Sequence, residues 1–135
     1  MSQENILIST STFAEYDQKP LKLLKEKGLA YKLNPYGRKL TSQEFVHLIG
    51  KNIGVVAGVE DLNGQVLEQA RALKVISRCG VGLDNVDLTK AKQLGIKVFN
   101  TPDVVTWPVA ELTVGLILSL LRKISLMGRD IRQRK

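Results

Sequence analysis

The chain has 135 residues, of which 44% are hydrophobic and 24% charged, with a single cysteine and a formal net charge of +7. That profile describes one soluble globular domain with a core of its own, and excludes two full domains, a disordered chain, a disulfide framework and a cysteine-based zinc cluster. Arg122, Lys123, Arg129, Arg132, Arg134 and Lys135 against Asp130 leave net +5 in residues 122–135, so the basic excess belongs to one terminal segment without interleaved aromatics, which reads as a solvated helix end rather than a nucleic-acid surface.

Met1–Asn5 lacks the basic segment and apolar run of a secretory signal, and Cys79 alone fits a reducing compartment, so a cytoplasmic protein is expected. Asn5–Ser9 reads as a buried strand closed by Ser/Thr punctuation. Leu21, Leu23, Leu24 and Leu29 with interleaved lysines predict a helix that stops near Gly28, and Ala30–Asn34 a short edge strand. Thr41-Ser42-Gln43-Glu44 matches a capping box ahead of Phe45, Leu48 and Ile49 on one face. Residues 53–57 predict a third strand, Asn63 a helix cap, residues 73–77 a fourth strand, Asp87 a second cap and residues 96–99 a fifth strand. A long helix starts near Thr106-Trp107-Pro108, where proline suits a first turn.

Strands alternating with helices imply an α/β fold: a doubly wound five-stranded parallel sheet, flavodoxin-like, followed by a long C-terminal helix. That helix is apolar nearly all round from Val109 to Leu121, which predicts cover from another domain or a partner. It is interrupted by Thr113, Gly115 and Ser119 and falls short of the roughly 20 apolar residues that a bilayer requires, so no membrane span is expected.

In open α/β sheets ligands bind at the carboxyl ends of the strands. Here those ends are 9–12, 58–60, 78–82 and 100–102. Glycines in two of them let backbone N–H groups approach an anion, and Arg78 adds a planar charged fork. Each glycine alone is more simply a tight-turn residue; two glycine loops and an arginine at converging strand ends favour a small anionic ligand. Gly80-Val81-Gly82-Leu83-Asp84-Asn85 also partly matches a dinucleotide fingerprint, but Asn85 stands where the third glycine belongs.

The stretch 73–87, LKVISRCGVGLDNVD, resembles the substrate-domain loop of the D-isomer-specific 2-hydroxyacid dehydrogenases. GIKVFNTP at 95–102 is similar to that family's next strand, and Val109-Ala110-Glu111-Leu112-Thr113 to the start of its interdomain helix. The resemblance is strong over 54–124 and nearest to the phosphoglycerate dehydrogenases, which act in serine biosynthesis. It implies a substrate-binding domain over 1–103 and an interdomain helix over 104–135. That helix would lead into an NAD-binding Rossmann domain outside this sequence. It further implies a small 2-hydroxy or 2-oxo acid as ligand, 3-phosphoglycerate first among them, with Gly58, Val59, Arg78, Gly80 and Val81 binding substrate. NAD is the implied cofactor, touched here by Val81 and Thr106, and the implied partner is a second copy, paired through the 107–127 helix. Many relatives carry arginine in the loop where this chain has Ala57-Gly58-Val59-Glu60, and asparagine where Val105 stands.

The family's catalytic arginine, glutamate and acid–base histidine match no position here, so the chain alone is expected to be inactive and to have no catalytic residue of its own. His47 lies on a predicted helix away from the strand ends, Glu111 reads as first-turn helix stabilisation, and Cys79 as a small packing residue whose thiol Arg78 could acidify. No metal site is expected. A carboxylate-sensing module without catalysis is a second reading. A basic nucleic-acid binder is a third.

Overall fold

The computed structural model describes residues 5–133. Two compact units divide the chain, Met1–Thr101 and Pro102–Lys135. The first contains five parallel strands, β1 (Asn5–Ile8), β2 (Ala30–Leu33), β3 (Gly54–Ala57), β4 (Val75–Arg78) and β5 (Lys97–Phe99), in the order β2-β1-β3-β4-β5. Between them run α1 (Lys19–Glu26), α2 (Ser42–Ile49), α3 (Gly64–Gln69) and α4 (Leu88–Gln93). This order is the flavodoxin-like doubly wound arrangement, and its reversal falls between β1 and β3.

Alternation decides which residues enter the core. Leu7, Val55, Ile76 and Val98 stand side by side across four strands. They share one face with Ala57 and meet Phe45, Leu48 and Ile49 of α2, Val66 and Leu67 of α3 and Ala91 of α4 in a single apolar cluster. Full burial of each of the larger side chains, such as Leu7, Ile76 and Phe45, contributes roughly 1.5–3 kcal/mol. The edge position of β2 agrees with its mixed sequence, in which Lys32 and Leu33 are exposed.

Three helix starts follow the sequence. Thr41 accepts from the Glu44 N–H at 3.3 Å and Glu44 accepts from the Thr41 N–H at 2.9 Å, completing the capping box. Asn63 accepts from the Val66 N–H and Asp87 from the Lys90 N–H, each closing the first turn of the helix that follows it. Arg38 adds a two-pronged contact to Glu44 at 2.7 and 2.9 Å, and its guanidinium lies 5.1 Å from the centre of the Tyr36 ring.

In the second unit the expected long helix is present as α5 (Thr106–Leu121), but it stops short of residue 127. Lys123 takes a left-handed φ of +51°, and the chain restarts as α6 (Ile124–Arg132). The Arg122 and Lys123 N–H groups close the last turn onto Leu118 and Leu120, and the Ser119 and Ser125 hydroxyls meet at 3.2 Å across the break. Leu112, Leu116, Leu120 and Leu121 of α5 are all exposed. Among the described residues no helix is long and apolar enough to cross a membrane.

The Arg38 fork, with help from the Thr41 N–H, holds the Glu44 carboxyl at a pKa of about 2, below its ordinary 4.5. A carboxyl depressed on folding stabilises above its unfolded pKa and loses that contribution as pH falls through the folded one. Glu44→Gln is therefore expected to lower stability at neutral pH, and the deficit to shrink as pH falls towards and below about 2, where the wild-type carboxyl takes up its proton. Urea unfolding at several pH values measures this, and a deficit independent of pH would contradict it.

Candidate anion-binding site

The glycine loops after β3 and β4 are neighbours because their strands are paired. Ala57 and Arg78 stand in register, and the Cys79 N–H donates to the Ala57 carbonyl at 2.8 Å. Beyond the strands the loops stay joined, since Leu62 and Val86 form an isolated parallel bridge, flanked by the bonds Leu62 N–H to Asn85 and Asp87 N–H to Leu62. Asn85 adds a side-chain tie: its Nδ2 donates to the carbonyls of Glu60 (2.6 Å) and Gly58 (3.3 Å), and its Oδ1 accepts from Arg78 Nε at 3.4 Å.

The end of β5 secures the second loop. Thr101 Oγ1 accepts from the Gly80 N–H at 2.8 Å, the Thr101 N–H donates to the Gly80 carbonyl at 3.0 Å, and Asn100 Nδ2 donates to the Val81 carbonyl at 2.8 Å. Gly80 adopts φ +146°, where side chains are strained, and a Cβ there would press on the Arg78 guanidinium, 3.0 Å from its Cζ.

These bonds sort the expected ligand contacts. The Gly58 N–H is already donated to Glu60 Oε2 at 2.6 Å, and the Gly80 N–H to Thr101. Val59 and Val81 N–H groups have no hydrogen-bond partner among the described residues, and both residues are open to solvent, 58% and 43% exposed. Arg78 is half-buried and turned onto its own loop, donating to the Cys79 carbonyl and to Asn85. Gly58, Val59, Arg78, Gly80 and Val81 thus lie together, while the amides open to a ligand are those of the two valines. Thr106 belongs to the second unit, where it opens α5 with its N–H on the Asp103 carbonyl at 3.3 Å.

Glu60, Asn85 and Thr101 are the site residues that sequence reasoning passed over as agents. Asn85 counted only as a missing glycine, although a carboxamide is the side chain that can donate to one loop and accept from another. Glu60 is 2% exposed, and an acid two residues beyond the strand-end glycine was the available signal. The dinucleotide reading of 80–85 fails on geometry. The following helix, α4, has Asp87 as its cap, so a carboxylate occupies the place where a diphosphate would meet the first turn. Among the described residues no group of three or more His, Cys, Asp or Glu side chains could hold a metal ion. His47 is exposed on α2.

Cys79 departs from the expectation of an acidified thiol. Burial pushes its pKa above 9.0, Arg78 opposes the shift, and Glu60 adds to it. At neutral pH its thiolate fraction is below that of an unperturbed cysteine, so iodoacetamide should alkylate it more slowly than glutathione. An equal or faster rate would contradict this. Gly80→Ala should cost about 1–3 kcal/mol and move the Val81 and Thr101 amide resonances. Gly95→Ala, at φ +71° with open space around it, should cost less, and equal losses would show that the Arg78 contact is immaterial.

The profile of the D-isomer specific 2-hydroxyacid dehydrogenase catalytic domain matches residues 6–127. The chain is 35% identical over 105 residues to hydroxyphenylpyruvate reductase of Plectranthus scutellarioides, covering 76% of this chain and 34% of that protein. It is 43% identical over 86 residues to D-3-phosphoglycerate dehydrogenase of Methanocaldococcus jannaschii, covering 63% and 16%. A crystal structure of a protein from Thermus thermophilus superposes with TM-score 0.85 at 32% identity, covering 96% of this chain and 40% of that one. The chain therefore spans well under half the length of these proteins. With its match over most of its residues and its five-stranded sheet, the chain belongs to the D-isomer specific 2-hydroxyacid dehydrogenase family.

Proposed function

We propose that this chain supplies the substrate-binding part of an NAD-dependent oxidoreductase acting on D-2-hydroxy acids and the matching 2-oxo acids. The observation that carries the reading is the pair of unpartnered N–H groups at Val59 and Val81, on loops cross-tied by Asn85. A carboxylate lying over both receives charge-assisted hydrogen bonds from rigid backbone, which costs little ordering. Arg78, held against the second loop, contributes positive potential to the same cradle.

NAD supplies the hydride chemistry when bound. The 80–85 loop does not form its diphosphate cradle, because the first turn of α4 is closed by Asp87. No hydride step is derived from them, and contacts of Val81 and Thr106 with the cofactor stay part of this proposal. The chain by itself is inactive in this reading. Glyoxylate, hydroxypyruvate and 3-phosphoglycerate are the acids among which binding has to discriminate. The exposed leucines along α5 support pairing with a second copy of the chain.

Titration of the 135-residue chain with glyoxylate, followed by amide resonances, is expected to give saturable shifts centred on Val59, Val81 and Gly82. The same sample with NADH should show no loss of NADH absorbance. Absence of those shifts would overturn the binding assignment, and turnover would overturn the inactivity.

A further inference from the structure

We propose that Glu60 makes this cradle selective for monoanionic 2-oxo or 2-hydroxy acids and hostile to phosphorylated ones; the proposal rests on the substrate-binding reading above. Strand order reverses between β1 and β3, and the crevice at such a reversal is where a doubly wound sheet receives its ligand. Here Glu60 places a carboxyl group beside the first glycine of that crevice. A Cβ on Gly58 would lie 2.9 Å from Thr10 Cβ and 3.4 Å from Glu60 Oε2, so Thr10 and the Glu60 carboxyl flank the glycine closely. Glu60 is buried to 2% exposure and takes the Gly58 N–H at 2.6 Å. The first amide of the loop after β3 is consumed by the chain's own carboxylate.

Two consequences follow for charge. With the Gly58 and Gly80 amides already bonded, the Val59 and Val81 amides are the ones of the five expected ligand residues that an incoming carboxylate meets. Nor is there a spare cation for a second anionic group. Segments 57–61 and 78–85 contain one basic residue, Arg78, against three acidic ones, Glu60, Asp61 and Asp84. Arg78 already serves the Cys79 carbonyl and Asn85. A phosphate monoester brings about −1.5 to −2 beyond the carboxylate. The two loops follow adjacent strands about 4.8 Å apart, so a second anionic group seated over them comes close to the Glu60 carboxyl. Like charges brought close together repel, and the expected cost is at least about tenfold in affinity.

The test compares glyoxylate with 3-phosphoglycerate on the full 135-residue chain, read by the Val59, Val81 and Gly82 amide resonances, for wild type and Glu60→Gln. The glutamine keeps the shape and an oxygen for the Gly58 N–H while removing the charge. Wild type should bind glyoxylate at least about tenfold more tightly than 3-phosphoglycerate. In Glu60→Gln that preference should shrink severalfold, mainly through gain of the phosphorylated acid. Glu60→Thr is the second variant, expected to act in the same direction if the glutamine does not reproduce the wild-type spectrum. Equal or tighter binding of 3-phosphoglycerate by wild type, or a preference unchanged in the folded variant, would overturn the role of Glu60 and leave the substrate-binding reading intact. Failure of both acids to bind wild type and variant alike would overturn the substrate-binding reading and this proposal with it.

Discussion

The candidate site depends on one side chain that holds two loops in a fixed relation. Parallel pairing of β3 and β4 brings their carboxyl ends side by side, but strand pairing ends at Ala57 and Arg78. Beyond that point each loop would be free to diverge. The Asn85 carboxamide prevents this by donating to the loop after β3 and accepting from the arginine that heads the loop after β4. A carboxylate in its place could not donate and an aliphatic residue could do neither. The Leu62–Val86 bridge repeats the connection in backbone, and Thr101 and Asn100 brace the second loop from β5. Four successive segments thus converge on a few unpartnered N–H groups.

Charge within this frame is arranged from the inside. At two places where this class of sheet offers an anion a welcome, the chain supplies the anion itself: Glu60 on the Gly58 amide, and Asp87 on the first turn of α4. Both satisfy N–H groups that would otherwise need water or ligand. The arginine of the site is likewise drawn into its own loop instead of reaching outward. The nucleotide-like glycine spacing of 80–85 does not make a nucleotide site, because Asp87 already closes the first turn of the helix that follows.

The second unit obeys different rules. Its apolar positions run round α5 without a polar face, and in the single chain they stand exposed. The left-handed residue at Lys123 ends the helix without glycine, and the chain turns into α6, where basic residues gather in the last turn.

Local chemistry was legible in the sequence. The capping box at Thr41–Glu44, the caps at Asn63 and Asp87, and the alternation that puts Leu7, Val55 and Ile76 on one face all rest on neighbours a few residues apart, so spacing alone determined them. The parallel α/β class followed from strands alternating with helices, and the glycine loops from strand ends. What the amides of those loops are bonded to could not be read in the same way. The Glu60 bond to Gly58 is local, but Thr10 packs close to Gly58 from beyond the end of β1, and the Asn85 tie spans 25 and 27 residues. The halt of α5 at Leu121 carries no glycine or proline signal. Sequence therefore determined the elements, because short-range hydrogen bonds and side-chain periodicity build them. Tertiary structure decided which donors stay open, because a hydrogen-bond donor is spent or free according to what the fold brings within about 3 Å of it.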